Sequence, residues 1–271
     1  MWVSRVILDG LVVVYALSLV LLFIDVVQPR RTVNRTALVL LFLVFVAETA
    51  VLLVRLRISG SVPVYTPFDV MMLVSWLILL VALVVNAFFR IDLVLFFANT
   101  VGFAIVVFDA FAAPNASMYQ AREGDILAMH IASAVISYTA FAFAFVFAVM
   151  YLVQERFLRE KQWNRWYIRL PSLERLDTYG FRSIVVGFPS LLISIMLGVI
   201  WGQLTLHRFL LFDPKPIVTC GLWVMYGIYL VLRMRHGFGA QRLIWWNVVC
   251  FALLVVNFVV VGNFSVVHPK F

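Results

Sequence analysis

Residues 243–264 read LIWWNVVCFALLVVNFVVVGNF, a run of 22 residues without a charged side chain. A helix needs about 20 mostly apolar residues to cross the hydrocarbon core of a bilayer. Several other stretches of the 271-residue chain are as long, and the chain has a mean hydropathy of +1.06 with only 13% charged residues. A soluble domain of this size needs a polar surface that this composition cannot provide. The sequence therefore predicts an all-α, polytopic membrane protein.

Eight apolar spans are predicted, forming a helical bundle in a single transmembrane domain over residues 1–271. The spans cover residues 6–27, 37–56, 67–88, 93–112, 126–153, 183–206, 216–233 and 243–264. The loops after the odd-numbered spans hold 14 of the 21 lysine and arginine residues. The positive-inside rule makes that face cytoplasmic. Because the number of spans is even, both termini are predicted outside.

The net charge of +8 does not indicate nucleic-acid binding, because the basic residues lie in loops between apolar spans and set the membrane orientation. The longest loop, residues 154–182, is predicted on the cytoplasmic face. It mixes Trp163, Trp166 and Tyr167 with arginines and glutamates. This composition favours an amphipathic helix lying on membrane lipid. The alternative is a docking face for a cytoplasmic partner.

Two of the four histidines fall at about the same predicted depth, near the outer ends of two spans. His130 lies in the first turns of span five, and His268 follows span eight. Two imidazoles at one depth can coordinate one metal from opposite sides, and haem iron commonly takes histidine as an axial ligand. The alternative for each histidine alone is a half-solvated position at the membrane interface. His207 is a third outer histidine, and His236 lies in a short cytoplasmic loop.

The stretch FDPKP at residues 212–216 predicts the outer start of a helix, with Asp213 as its N-cap and Pro214 in its first turn. The positive end of the helix dipole would point outward. Arg208 and Lys215 lie close by in sequence, so these groups together form a candidate site for anions such as haem propionates. The alternative is simple capping, with basic side chains reaching to the membrane boundary.

Glu48 lies within span two, about eight residues from its outer end. An ionised carboxylate at this depth needs a partner or becomes protonated. The sequence assigns no role to this residue. Four asparagines also lie within spans, and hydrogen bonds between helices are the expected role of Asn86, Asn99, Asn247 and Asn257.

The segment WGQLTLHRFLLFDPKPIVTCGLWVMYGIYLVLR, residues 201–233, resembles the tryptophan-rich signature of the cytochrome c assembly proteins. The matching positions are Trp201, Gly202, Asp213, Pro214, Lys215, Trp223, Tyr226, Tyr229, Leu230 and Arg233. HIASAVISY, residues 130–138, resembles the histidine-led span that precedes this signature. VGNFSVVHPKF, residues 261–271, lies where the family carries its second outer histidine. PVYTPFDVMMLVSW resembles an earlier family element, with Asp69 in place of the usual glutamate.

The chain looks most like the HemX branch of this superfamily, which has eight spans and no large external domain. The resemblance implies that His130 and His268 are the axial ligands of a non-covalent haem b. It also implies that Trp201, Asp213 and Lys215 belong to the haem cradle, and that Arg208 or Lys215 pairs with a propionate. A protein of this kind handles haem in a bacterial cytoplasmic membrane and is not expected to be an enzyme.

The HemX branch is associated with control of the amount of glutamyl-tRNA reductase, the first enzyme of tetrapyrrole synthesis. A tetrapyrrole-synthesis enzyme docking at residues 154–182, or another cytochrome c assembly protein, is the partner that this implies. Val231 stands where the haem-exporting members have a relay histidine, which favours haem binding over export. Two alternatives remain open: a haem transporter or chaperone that serves an external cytochrome c assembly partner, and a cofactor-free scaffold acting through residues 154–182.

Overall fold

The computed structural model describes the chain in seven ranges, residues 5–59, 66–89, 91–112, 125–161, 165–206, 213–235 and 239–259. The described residues form nine helices: α1 (Arg5–Val27), α2 (Arg31–Ser59), α3 (Pro67–Phe89), α4 (Asp92–Ala112), α5 (Asp125–Arg159), α6 (Arg165–Arg169), α7 (Leu173–Leu206), α8 (Pro214–Met234) and α9 (Ala240–Val259). In these ranges, seven helices are long and apolar enough to cross a membrane, all except α4 and α6. The apolar part of α4, Asp92–Phe108, is shorter.

The prediction of an all-α polytopic membrane protein is therefore confirmed. The number of eight spans, the outer position of both termini and the single transmembrane domain stay predictions. The described helices form two compact units. The first contains α1 to α4 and α6, and the second contains most of α5 together with α7, α8 and α9.

Two helices extend well beyond the predicted spans. Helix α5 continues to Arg159 rather than ending at residue 153, and α7 begins at Leu173 rather than at residue 183. The predicted loop at residues 154–182 therefore consists largely of helix ends, with the five-residue α6 between them. Hydropathy marks only the part of a helix that lies in hydrocarbon, whereas backbone hydrogen bonding continues the helix through charged residues. The cytoplasmic placement and amphipathic character of this stretch stay predictions.

A three-residue charge cluster stabilises one end of the first unit. The Arg169 guanidinium of α6 lies 2.9 Å from the Asp25 carboxylate and 3.3 Å from the Asp92 carboxylate. It also donates to the backbone oxygen of Asp25 at 2.7 Å. Asp25 accepts further hydrogen bonds from the Arg30 amide and the Asn34 side chain. These contacts fix α6 against the ends of α1 and α4, because charge-assisted hydrogen bonds are among the stronger ones.

The second unit depends on close packing between α5 and α7, which run antiparallel. A Cβ added to Gly187 of α7 would lie 2.8 Å from the Phe141 ring of α5, and the Ser137 hydroxyl donates to the Gly187 carbonyl at 3.0 Å. About two turns earlier in α7, a Cβ added to Gly180 would lie 3.7 Å from the Phe147 side chain. Small residues at such contacts let membrane helices approach closely, since dispersion and hydrogen bonds must hold them together.

Helices α8 and α9 complete the second unit by packing on α5. The Tyr226 ring of α8 stacks on Phe141 with 3.8 Å between ring centres, and Phe251 of α9 stacks on Phe145 at 4.5 Å. The asparagine prediction is confirmed at three positions: Asn247 donates to the Ala144 carbonyl, Asn257 donates to the Thr219 hydroxyl, and Asn99 accepts from Tyr15. The α5 helix thus contacts the three other helices of this unit.

Candidate functional site

His130 lies in the second turn of α5, and its ring contacts α7. The ring Nδ1 is 2.6 Å from the Ser194 backbone oxygen and 3.1 Å from the Ser194 hydroxyl, which itself donates to the His130 carbonyl at 3.0 Å. A carbonyl oxygen can only accept, so Nδ1 carries the hydrogen in the neutral ring. Nε2 then has the lone pair that can bind a metal.

Gly198 of α7 leaves the space that the His130 ring occupies. A Cβ added at this glycine would lie 2.9 Å from Cε1 and 3.0 Å from Nδ1 of the imidazole. Real Cβ atoms do not approach other atoms so closely, so any other residue at this position would displace the ring. Ser194 and Gly198 are four residues apart and therefore lie on the same face of α7. This face fixes both the position and the hydrogen-bonding state of the histidine.

Trp201 continues the same face of α7, three residues beyond Gly198. Its side chain is buried, and its Nε1 has no hydrogen-bond partner within the described residues. A buried N–H without a partner costs about 1–3 kcal/mol. Such a group is a donor available to an acceptor atom of a ligand.

Asp213 and Pro214 occupy the predicted positions at the start of α8, but the carboxylate makes no capping hydrogen bond. A capping side chain normally accepts from the N–H of the second or third helical residue. Here Lys215 is the second residue and Pro216 is the third, so one of the two usual donors is missing. The Ile217 amide does bond to the Asp213 carbonyl at 3.3 Å. The first turn of α8 therefore offers few backbone donors to an anion, and the Lys215 side chain becomes the principal candidate.

The Lys215 ammonium lies 5.5 Å from the centre of the Phe258 ring of α9. That ring meets Tyr138 of α5 edge to face, with 5.9 Å between ring centres. These contacts place the lysine among α5, α8 and α9, rather than at an isolated position facing lipid.

The described part of the predicted site thus consists of His130, Trp201, Asp213 and Lys215, all from the second unit. His268 and Arg208 lie outside the described residues, as do His207 and His236. Sequence analysis did not identify Ser194 and Gly198. Ser194, Gly198 and Trp201 follow one another at intervals of four and three residues along α7, and this spacing is the one signal that could have indicated the first two.

A sequence model described as Cytochrome C assembly protein matches residues 64–268. The chain belongs to this family. Protein HemX of Bacillus subtilis (strain 168) is 32% identical over 264 residues, which cover 96% of this chain and 95% of that protein. Protein HemX of Brevibacillus brevis is 35% identical over 256 residues, 94% of each chain. Cytochrome c biogenesis protein CcsA of Synechococcus sp. (strain CC9902) is 26% identical over 220 residues, 72% of each.

These similarities confirm the family resemblance and the position as a multi-pass protein of the cytoplasmic membrane. The family match begins at residue 64 and contains all of the candidate site. Helices α1 and α2 precede it, although the HemX relatives match across almost the whole chain. The roles of the individual site residues are therefore argued from their geometry.

Proposed function

We propose that this protein binds haem b non-covalently near the outer face of the membrane, with His130 and His268 as axial ligands. The observation that carries the proposal is the His130 ring, whose Nδ1 is bonded to Ser194 and whose Nε2 is left as the ligand atom. Metal-binding histidines almost always donate their second ring N–H to a carbonyl, a carboxylate or water, which orients the ring and raises its basicity. Ser194 provides such an acceptor.

Other described residues fit the polar edge of a haem. Lys215 supplies a cation on the same unit, and the buried Trp201 N–H needs an acceptor. A propionate can pair with the first and accept from the second. Arg208 is the further candidate partner for a propionate, and Asp213 orients the start of the helix that carries Lys215. Bound haem would supply an iron that can change its oxidation state.

The role proposed for the bound haem is haem handling or the regulation of tetrapyrrole synthesis. The HemX relatives, which match along nearly the whole chain, support this over delivery to a large external assembly partner. The proposed docking surface for a cytoplasmic tetrapyrrole-synthesis enzyme lies within residues 154–182. Ile168 of α6 is 77% exposed there and is accessible to a partner or to lipid.

The first test is the absorption spectrum of the detergent-purified protein, oxidised and dithionite-reduced, with haem added if necessary. Ligation by two histidines should give the sharp reduced α and β bands of low-spin haem. His130→Ala and His268→Ala should each produce a high-spin spectrum or lose the haem. His236→Ala is the matched control and should leave the spectrum unchanged.

Two outcomes would contradict the assignment. A large spectral change in His207→Ala, with little change in His268→Ala, would mean that the second ligand is wrong. No specific haem uptake by the wild-type protein would remove the proposal as a whole and would favour a scaffold that acts through residues 154–182.

A further inference from the structure

The first unit contains a buried polar cluster that the proposed haem site does not use. The cluster consists of four side chains with 0% solvent exposure: Tyr15 of α1, Glu48 of α2, Ser75 of α3 and Asn99 of α4. Glu48 lies 17 residues from the start of α2 and 11 from its end, which places it roughly 16–26 Å along the helix from either terminus. The cluster therefore lies in the interior of the membrane.

Ser75 is the centre of this cluster because its hydroxyl reaches two acceptors. Its Oγ lies 2.9 Å from Glu48 Oε1 and 3.4 Å from the Gly102 backbone oxygen of α4. A Cβ added at Gly102 would lie only 2.7 Å from the Tyr15 hydroxyl oxygen and 3.6 Å from Ser75 Oγ. Tyr15 and Ser75 therefore both lie close to the α4 backbone at Gly102.

The second oxygen of Glu48, Oε2, is buried and has no hydrogen-bond partner in the described part of the chain. No described cation pairs with this carboxyl group. The arginine seven residues further along α2, Arg55, is ion-paired with Asp69 instead, at 2.9 Å. An ionised Glu48 would thus leave one anionic oxygen without a donor inside the membrane, which is a very unfavourable state.

The hydrogens available to Glu48 and Ser75 favour one protonation state of the Glu48 carboxyl group. A serine hydroxyl has one hydrogen, so beside an ionised Glu48 it would donate to Oε1 and could not also donate to the Gly102 carbonyl, which keeps the N–H donor of its own helix. If Oε1 carries a proton, it donates to Ser75 Oγ, and Ser75 donates to Gly102. The neutral acid therefore satisfies both contacts of the serine, and Oε2 is then an uncharged carbonyl oxygen.

We propose that Glu48 is a proton-binding site in the membrane interior, with its proton held on Oε1 by the chain from Glu48 through Ser75 to the Gly102 carbonyl. The ligand of this site is a proton. Among the described residues that meet the cluster from α1, α3 and α4, Tyr15 is the titratable one, and its hydroxyl donates to Asn99 at 3.0 Å. No charged side chain of those helices contacts Glu48 within the described ranges.

Infrared spectroscopy of the purified protein at neutral pH tests the protonation state directly. A carboxylic-acid C=O band should be present, should shift to lower frequency in D₂O, and should disappear in Glu48→Gln. Glutamine is a neutral replacement that can donate to Ser75 in the same way, so this variant should fold. Asp69→Asn is the matched control, because the carboxylate it removes is paired with Arg55 and contributes no acid band.

Ser75→Ala tests the hydrogen-bond chain separately from the proton. Loss of the serine acceptor should move the Glu48 band to higher frequency without removing it. A band that does not move would overturn the assignment of the proton to the bond with Ser75. The absence of any band sensitive to Glu48→Gln in a folded protein would overturn the whole proposal.

Labelling with dicyclohexylcarbodiimide gives a second, chemical measurement. This apolar reagent adds to protonated carboxyl groups: the acid proton moves to a carbodiimide nitrogen, the carboxyl oxygen bonds to the central carbon, and an O-to-N acyl shift yields a stable N-acylurea without a leaving group. Mass spectrometry should find the adduct on Glu48, and should not find it on the ion-paired Asp25 or Asp69. Labelling of those aspartates with none on Glu48 would contradict the proposal.

Discussion

At the scale of single residues, the His130 ring is held by one face of α7. Ser194 determines which nitrogen carries the hydrogen, and Gly198 determines how close the ring lies to the helix. The hydrogen bond from His130 Nδ1 goes to the Ser194 backbone carbonyl, so substitution of the Ser194 side chain would remove only the hydrogen bonds of its hydroxyl group. The contact with Gly198 is open to a direct test by mutation.

Gly198→Ala should displace the His130 ring and weaken haem binding. The added Cβ would lie 2.9 Å from Cε1, so the imidazole must shift by a few tenths of an ångström. We expect the apparent haem affinity to fall about tenfold, which corresponds to about 1.4 kcal/mol. Haem titration followed by absorbance measures this. Gly221→Ala is the control, because a Cβ there meets nothing within 4 Å, and an equal loss of affinity in the control would contradict the explanation.

Trp201→Phe should have opposite effects on the free and haem-bound protein. The substitution removes a buried N–H that lacks a partner among the described residues, so thermal stability without haem should stay the same or rise slightly. If this N–H donates to a propionate, haem affinity should fall several-fold. Thermal unfolding in detergent, with and without haem, separates the two effects. A variant that loses stability in both states would show that the indole serves packing alone.

Sequence analysis identified candidate site residues by a chemical type that is unusual inside a membrane, namely His130, Asp213 and Lys215, together with the signature residue Trp201, and their roles stay predictions. It could not predict the contacts of Ser194 and Gly198. Those contacts depend on how α5 and α7 align along each other, and a serine or glycine in an apolar span has many other roles. Asp213 shows the reverse case, because its N-cap position was predictable, whereas the absence of a capping hydrogen bond to its carboxylate was not.

At the scale of elements, glycine contacts control the approach of α5 and α7. Gly187→Leu would place a large side chain where the Phe141 ring now lies against the α7 backbone. Phe141 also stacks on Tyr226 of α8, so three helices would have to move apart. We expect a loss of roughly 1–3 kcal/mol in stability, measured by thermal or denaturant unfolding in detergent. Gly10→Leu, in open space on α1, should change stability much less.

The extents of the helices were only partly predictable. Span positions followed from hydropathy because each span must bury about 20 apolar residues in lipid. The extension of α5 to Arg159 and the early start of α7 at Leu173 were not predicted. Charged residues in these extensions look like a loop to any criterion based on hydropathy, although they have good helix propensity.

At the scale of the whole molecule, the charge cluster around Arg169 belongs to the first compact unit, and the candidate haem site belongs to the second. Arg169→Ala should destabilise the first unit by roughly 1–3 kcal/mol, because three hydrogen bonds of the guanidinium to Asp25 and Asp92 are lost. Faster limited proteolysis near α6 would measure this change. The haem spectrum should stay the same, since the candidate haem site belongs to the second unit. Arg175→Ala, an exposed arginine on α7, is the control and should alter neither property.

The lengths of α5 and α7 have a consequence for recognition from the cytoplasm. With 35 and 34 residues, each helix is about 50 Å long, against a hydrocarbon core of about 30 Å. The headgroup regions bring the membrane to about 40–45 Å, so on the predicted topology one or two turns of each helix stand beyond the headgroups. A cytoplasmic protein would meet a preformed surface there rather than a loose polypeptide. Little chain entropy would be lost on contact, so even a small interface at this position could support specific binding.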